Sequence, residues 1–186
     1  QARPDQAKPH FYLAESLANL IQIKEAVSEY HRVFQIDPNF VHALHNLGVL
    51  HREEGRLKKA VAHFRKVLQI KSDFAMAHFD LALTFDLQGN QAEALQYYRR
   101  AVRLAPDIFL MQMNMGSLLA SQEKFDEAIQ HFRRAVQINP DPTIAHHSLD
   151  RALKIVGRHG DVKKPDQKIK VAPSILYTVA RGLAVI

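Results

Sequence analysis

Residues 41–74 read VHALHNLGVLHREEGRLKKAVAHFRKVLQIKSDF, and this stretch decides the fold. Its apolar residues recur at helical spacing in two runs of about 13 residues each, which predicts two amphipathic helices. Gly55 lies between the runs, where a glycine can end one helix and turn the chain into the next. The stretch therefore predicts a helix–turn–helix unit.

The same pattern recurs along the chain at a shift of 34 residues. The aligned columns are Leu13, Leu47, Leu81, Met115 and Leu149; Ala14, Gly48, Ala82 and Gly116; Ala26, Ala60, Ala94 and Ala128; Tyr30, Phe64, Tyr98 and Phe132; Ile36, Ile70, Leu104 and Ile138; and Gly55, Gly89 and Gly157. Small residues are expected where two helices approach closely, and the aromatic column fills the wider gap beside them. Pro38, Pro106 and Pro140 close their repeats because proline ends a helix.

These columns resemble the tetratricopeptide repeat family, whose pattern is W-x2-L-G-x2-Y, then A-x3-F, then P. Here the pattern is Leu44-x2-Leu47-Gly48-x2-His51, then Ala60-x3-Phe64. The resemblance covers Ala7 to about Gly157 and implies an all-α, right-handed superhelical solenoid of helix pairs. Two departures are Ser72 in place of proline and the loss of Trp from its column, which holds His10, Leu44, His78, Gln112 and His146.

The register divides the chain into four full repeats with partial ones at the ends. The predicted ranges are 1–6 (tail of a preceding repeat, or disordered), 7–40, 41–74, 75–108 and 109–142 (repeats), 143–157 (a fifth first helix), 158–173 (a basic irregular connector) and 174–186 (an apolar helix). The last of these we interpret as a cap or a docking segment.

Composition limits the function classes. The chain is 47% hydrophobic and 24% charged, has a net charge of +6 and contains no cysteine, which excludes disulfides and thiolate chemistry. It has neither a membrane-spanning apolar run nor the layout of a signal peptide at its start, which favours a soluble protein of the cytoplasm and leaves export after signal cleavage open. No phosphate-binding loop, nucleophile motif or converging metal ligands occur, so we predict no enzyme activity, no cofactor and no metal.

In the tetratricopeptide family, the concave groove lined by first helices binds an extended peptide or a partner helix. Carried onto this register, the groove positions are Phe11, Tyr12, His42, His45, Asn46, Val49, Met76, Phe79, Asp80, Leu83, Leu110, Met113, Asn114, His147 and Arg151. Many are apolar, which predicts an exposed binding patch, unless they pack between adjacent first helices. Asn46 and Asn114 share a column from which an amide can clamp a ligand backbone, or simply bond its own helix or water.

A basic stripe is predicted along the second helices, on the convex side. Its members are Arg32, Arg65, Lys66, Arg99, Arg100, Arg133 and Arg134. It is interpreted as a solvated face, or as a contact for an acidic protein or an anionic membrane surface. Nucleic acid is not expected, because no aromatic residues alternate with the stripe.

The leading hypothesis is therefore a non-catalytic scaffold or adaptor that binds a partner protein in its groove. The alternatives are an assembly subunit that acts through its C-terminal segment or repeat ends, and the targeting region of a larger enzyme.

The register makes a testable prediction at Ala94. Ala94→Leu should overpack a helix contact and lower the free energy of unfolding by about 1–3 kcal/mol, measured by thermal or urea denaturation. An unchanged melting temperature would contradict the register.

Overall fold

The computed structural model describes residues 4–140 and 143–158. These residues form nine helices, as the helical periodicity of the sequence predicts. They are α1 Pro4–Asn19, α2 Ile23–Ile36, α3 Val41–Glu53, α4 Leu57–Ile70, α5 Ala75–Leu87, α6 Gln91–Leu104, α7 Phe109–Ser121, α8 Phe125–Ile138 and α9 Thr143–Arg158. This part of the chain contains no strand, so the prediction of an all-α array of helix pairs is confirmed. The second helices α2, α4, α6 and α8 each have 14 residues.

The ends of the described array differ from the sequence prediction. α1 begins at Pro4, so residues 4–6 are helical and continuous with the first repeat, where the sequence predicted the tail of a preceding repeat or a disordered segment. Proline fits there because the first turn of a helix needs no N–H donor. Gly157, predicted to turn the chain, lies inside α9, which continues to Arg158. The predicted connector beyond Arg158 and the predicted apolar helix 174–186 lie outside the described residues.

The helices divide into two bodies at the boundary between Asn90 and Gln91. The N-terminal body holds α1–α5 and the C-terminal body holds α6–α9. Within each body, a first helix packs on its own second helix, and that second helix packs on the next first helix. The core of the N-terminal body combines the small, aromatic and aliphatic columns, including Ala14, Ala26, Tyr30, Val33 and Leu47.

The small-residue column lies where first and second helices approach closely. A Cβ placed on Gly48 would lie 2.7 Å from Cε1 of Phe64, and one on Gly116 would lie 2.6 Å from the same atom of Phe132. Both distances are shorter than a real side chain makes, so each ring would have to move to admit even a methyl group. The glycines therefore fix how near α3 lies to α4, and α7 to α8.

The turn inside a repeat is one hydrogen-bonded motif, repeated. After α3, the Gly55 N–H donates to the Arg52 carbonyl (2.9 Å), and the Arg56 N–H donates to the His51 carbonyl (2.8 Å). This pair of bonds is a Schellman motif, whose turning residue adopts a left-handed conformation. In the described helices, φ at this position is 63° for Ile21, 73° for Gly55, 78° for Gly89 and 61° for Glu123. Ile21 is strained there because it is β-branched, and since it is 69% exposed, packing does little to hold it.

Replacing this isoleucine should stabilise the protein. We expect Ile21→Gly to raise the free energy of unfolding by about 1 kcal/mol, because glycine has no Cβ to clash in the left-handed region. Urea denaturation measures the change. The matched control is Gly55→Ile, which places the same side chain in the same motif of the next repeat and should destabilise. A lower stability of Ile21→Gly would contradict the strain argument.

Candidate partner-binding surface

In the N-terminal body, the first helices α1, α3 and α5 carry exposed members of the predicted binding set. Tyr12 is 61% exposed, Met76 is 36% exposed, and His42 is also exposed. Three more predicted residues, His45, Asn46 and Val49, are half-buried. The exposed side chains are thus two rings and a flexible thioether.

Tyr12 is the outer member of a group of rings. The Phe11 ring is nearly buried, and its centroid lies 5.6 Å from that of Tyr12, 5.0 Å from that of Phe40 and 6.5 Å from that of His42. Phe40 is half-buried at the start of α3. Ring pairs at these separations attract each other beyond the area they bury. Phe11 therefore supports Tyr12, Phe40 and His42 from below.

The group continues from His42 to the start of α5. His42 meets the half-buried Phe74 edge to face, with the centroids 5.5 Å apart, and Lys71 Nζ lies 5.6 Å from the Phe74 centroid. Burial, followed by the neighbouring His45 and Lys71, lowers the pKa of His42, so its ring is neutral near pH 7. We call Tyr12, Phe40, His42, Phe74 and Lys71 the aromatic surface. It joins accessible rings to one ammonium group.

Beneath this surface, a charged network ties α3 to α5. Arg52 donates to Oδ1 of Asp80, and His45 Nε2 lies 2.7 Å from Oδ2 of the same carboxylate. Burial alone would raise the pKa of Asp80, but Arg52 and His45 outweigh it and lower the pKa to about 2. Asp80 is therefore ionised at every working pH, and its role here is to hold the two first helices together.

Asn46 extends the network to α1 and α2. Its Nδ2 donates to Oε1 of Glu15 and to the hydroxyl of Tyr30, each at 3.2 Å. Burial, partly offset by the bond from Asn46, raises the pKa of Tyr30 to about 12. In the C-terminal body, Asn114 Nδ2 donates to the Leu110 carbonyl at 2.8 Å. Both amides thus bond the protein itself, and their predicted role as clamps stays a prediction.

Several predicted contact residues are buried, which corrects the expectation of a wide exposed patch. They are Phe11 (9% exposed), Phe79 (2%), Asp80 (4%), Leu83 (5%), Leu110 (6%), Met113 (3%) and Asn114 (3%). The expectation is wrong for these side chains because helical register gives the direction of a residue but not what covers it. Substituting Phe79 or Met113 would therefore test the core. In α9, His147 and Arg151 are exposed.

Models of the tetratricopeptide repeat match residues 41–74, 70–107 and 79–143. Together these matches span residues 41–143, which is more than half of the chain. The chain belongs to the tetratricopeptide repeat family. A comparison with curated proteins found no match.

Solved structures agree with this assignment at the level of the fold. A crystal structure of MamA superposes with a TM-score of 0.73 at 18% identity, covering 96% of this chain and 91% of MamA. PilF from Pseudomonas aeruginosa gives a TM-score of 0.75 at 20% identity, covering 83% and 70%. A chain of the APC/C hetero-tetramer Cut9–Hcn1 gives 0.71 at 18% identity, covering 79% and 30%. At such identities the likeness shows a shared fold.

Membership of the family gives a general function. Tetratricopeptide repeats are protein-interaction scaffolds, they are generally non-catalytic, and in that general sense this chain is a scaffold that binds other proteins. Over the described residues, no helix is both long and apolar enough to cross a bilayer. The same residues contain no group of three or more histidine or acidic side chains that could hold a metal ion.

The tetratricopeptide column that has lost its Trp has a role that sequence reasoning missed. His78 Nε2 donates to the Ser72 carbonyl (2.9 Å), and Gln112 Nε2 donates to the Pro106 carbonyl (2.7 Å). His146 Nε2 makes the same contact with Pro140 (2.9 Å). Tryptophan also carries one N–H, so at these three positions the column supplies a donor to the carbonyl six residues earlier, whereas Leu44 has no donor and His10 contacts Glu29. The sequence signal that could have predicted this hydrogen bond is the side-chain N–H that His, Gln and Trp have in common.

The predicted basic stripe is exposed throughout, but much of it is neutralised. All seven side chains, Arg32, Arg65, Lys66, Arg99, Arg100, Arg133 and Arg134, are exposed. Three of them form ion pairs: Arg32 with Glu29 (3.0 Å), Arg99 with Glu127 (3.5 Å), and Arg134 with Asp107. Positive charge is therefore not spread evenly over the second helices.

The buried network makes a testable prediction about acid stability. The pKa of Asp80 in the folded state, about 2, lies below its ordinary value of 3.8, so the unfolded state binds the proton first. Ionised Asp80 therefore contributes about 2 kcal/mol to the free energy of unfolding above about pH 4. This contribution is lost as the pH falls towards about 2. Urea denaturation at a series of pH values measures this loss.

Variants taken from the repeat itself provide the control. Asp80→Asn should cost about 3 kcal/mol at pH 7, because it leaves the buried Arg52 without this carboxylate. Arg52→Ala with Asp80→Asn should recover most of that cost, since Ala and Asn occupy the same columns at Ala18, Ala120, Asn46 and Asn114. In the double variant, the free energy of unfolding should no longer show the loss that Asp80 causes between about pH 4 and 2. A single variant as stable as the parent would contradict the assignment.

Proposed function

We propose that the chain is a non-catalytic adaptor that binds a peptide or a helix of a partner protein on the aromatic surface. The observation that carries this proposal is Tyr12, which is 61% exposed although it belongs to a packed group of rings. Rigid aromatic side chains supply large contact area at low entropic cost, which suits them to binding surfaces. Met76 on α5 is 36% exposed and adds an apolar group that can adapt its shape.

The buried His45–Asp80 pair supports a structural role for the charged groups rather than catalysis. Such a pair can act as a general base when the second ring nitrogen faces a substrate. Here the His45 side chain is 12% exposed, and its Nδ1 lies 3.3 Å from Oδ1 of Asn46. Both nitrogens therefore face the protein, which favours a scaffold over an enzyme. The stripe has no interleaved aromatic side chains, which favours protein over nucleic acid as the partner.

Site-specific crosslinking tests the proposal. A photoreactive phenylalanine in place of Tyr12 should crosslink a discrete partner in an extract of the source cell, identified by mass spectrometry. Adding His42→Ala should reduce the yield, because it removes a ring that packs on Phe11, as Tyr12 does. The control places the same group at Gln35, an exposed residue on the second helix α2. Equal crosslinking from Gln35 and Tyr12 would reject the aromatic surface as the site.

The outer face of α1 favours a second function, assembly with another helix. Leu13 is 48% exposed, whereas Leu47, Leu81 and Met115 in the same column are at most 2% exposed. In later repeats this column packs in the core, so α1 offers an apolar position without such cover. The crosslinker at Leu13 distinguishes the two functions, since an assembly contact crosslinks there and not at Tyr12.

A further inference from the structure

The surface of α4 differs from that of the other second helices in its charge. α4 contains Lys58, Lys59, Arg65 and Lys66 and no acidic residue. In α2 and α8, two basic and two acidic residues balance, and in α6 three arginines accompany one glutamate. The flanking residues add Arg56 and Lys71, so residues 56–71 hold six cations and no anion. Among the second helices, α4 therefore carries the largest net positive charge.

The cations of α4 share one exposed face. Lys58, Lys59, Arg65 and Lys66 are all exposed, as are Ala62 and Gln69 between and beyond them. The helix period places these six positions within about one third of the circumference. Over the described residues, no ion pair joins any of the four cations to a carboxylate, although Arg56 pairs with Glu54 at 3.0 Å. Arg65 also lies over the Phe85 ring, 5.9 Å from its centroid. The face is therefore positive and not internally neutralised.

The first turn of α4 shows that this charge opposes the stability of its own helix. The first turn of α2 carries Glu25, that of α6 carries Glu93 and that of α8 carries Asp126 and Glu127, which suits the positive end of a helix dipole. α4 instead has Lys58 and Lys59 there. Beneath the face, burial and then the nearby His51, Lys66, His31 and Lys59 lower the pKa of His63 to about 4. Residues that lower the stability of the helix they belong to are typical of functional positions.

We propose that this face, Lys58, Lys59, Arg65 and Lys66 around Ala62, binds an acidic helical segment of a partner protein. The two basic pairs are seven residues apart, or about 10 Å along the axis, which is the spacing of carboxylates two turns apart on another helix. Ala62 leaves the middle of the face low, so a partner helix can lie close. Within the N-terminal body, the basic residues of the other second helix, α2, are balanced on their own helix, so the unbalanced charge of that body lies on one helix, which suits a helix better than a bilayer. The site is separate from the aromatic surface and does not depend on it.

The test uses the full chain and a synthetic helical peptide of about 14 residues, the length of α4. The peptide carries glutamates two turns apart on one face and alanines elsewhere, and a second peptide carries glutamine in place of each glutamate. Fluorescence anisotropy at about 150 mM salt measures binding, since weaker surface attraction is screened there. We expect the glutamate peptide to bind and the glutamine peptide not to bind. Failure of the glutamate peptide to bind would overturn the proposal.

Charge reversal locates the site and separates binding from folding. Lys58→Glu with Lys59→Glu should weaken binding about tenfold, yet raise the melting temperature, because glutamates suit the first turn. Arg65→Glu with Lys66→Glu should also weaken binding about tenfold. The matched control is Arg99→Glu with Arg100→Glu, the same columns on α6, which should leave the affinity within about twofold. Equal losses in the α4 and α6 variants would overturn the proposal, because they would indicate unspecific attraction.

Two further arms address other anions and the aromatic surface. Vesicles with one quarter phosphatidylserine, or a single-stranded oligonucleotide, should bind more weakly than the glutamate peptide under the same conditions. Preference for either would overturn the proposal in favour of a membrane or a nucleic acid. Tyr12→Ala with His42→Ala should leave peptide binding unchanged, so failure of the proposed function and failure of this inference give different results.

Discussion

The repeat depends on one packing constraint, the close approach of a small residue on a first helix to an aromatic ring on the following second helix. Gly48 and Phe64 in α3 and α4, and Gly116 and Phe132 in α7 and α8, leave no room for an added Cβ. Once the two helices lie this close, the neighbouring columns must be apolar and of limited size. The alanine column that follows is fully buried at Ala26, Ala60, Ala94 and Ala128 for the same reason. A spacing of 34 residues is the length of chain that brings the next helix pair to an equivalent contact.

Because this constraint acts through residue type at fixed spacing, the sequence alone predicts the helices. The helix pairs and their small and aromatic columns follow from periodicity, and the differences lie at the ends of the described array, at Pro4 and Gly157. Exposure was predicted less well. Leu110 and Met113 occupy groove register but are covered, since α7 also packs against α6, α8 and α9. Sequence register assigns a direction to a side chain, whereas exposure depends on elements far away in sequence.

The polar network was not predictable because it is not periodic. Arg52 and Asp80 lie 28 residues apart, and Asp80 lies 35 residues from His45, so neither pair falls on the repeat spacing. The Arg52 column holds alanine at Ala18 and Ala120 but Asp86 in the third repeat, and the Asp80 column holds Tyr12, Asn46, Asn114 and Ser148. The network arises where two departures from the repeat meet, one on α3 and one on α5. The Trp column shows the opposite case at His78, Gln112 and His146, where different side chains keep one hydrogen bond because each offers an N–H to the carbonyl six residues earlier.

A repeat protein therefore separates its stability from its recognition. Columns that pack in the core keep similar residue types in every repeat. A residue that differs from its column and does not pack in the core therefore needs a reason other than packing. Ile21 replaces glycine at a left-handed position, and Lys59 replaces a glutamate that each other second helix keeps in its first turn. Both choices cost local stability, and both residues are exposed. Arg52 and Asp80 also depart from their columns, but each compensates the buried charge of the other. Comparing repeats within one chain thus separates two kinds of substitution. Some are stabilised by another residue of the same fold, and others cost stability that only binding of a partner could offset.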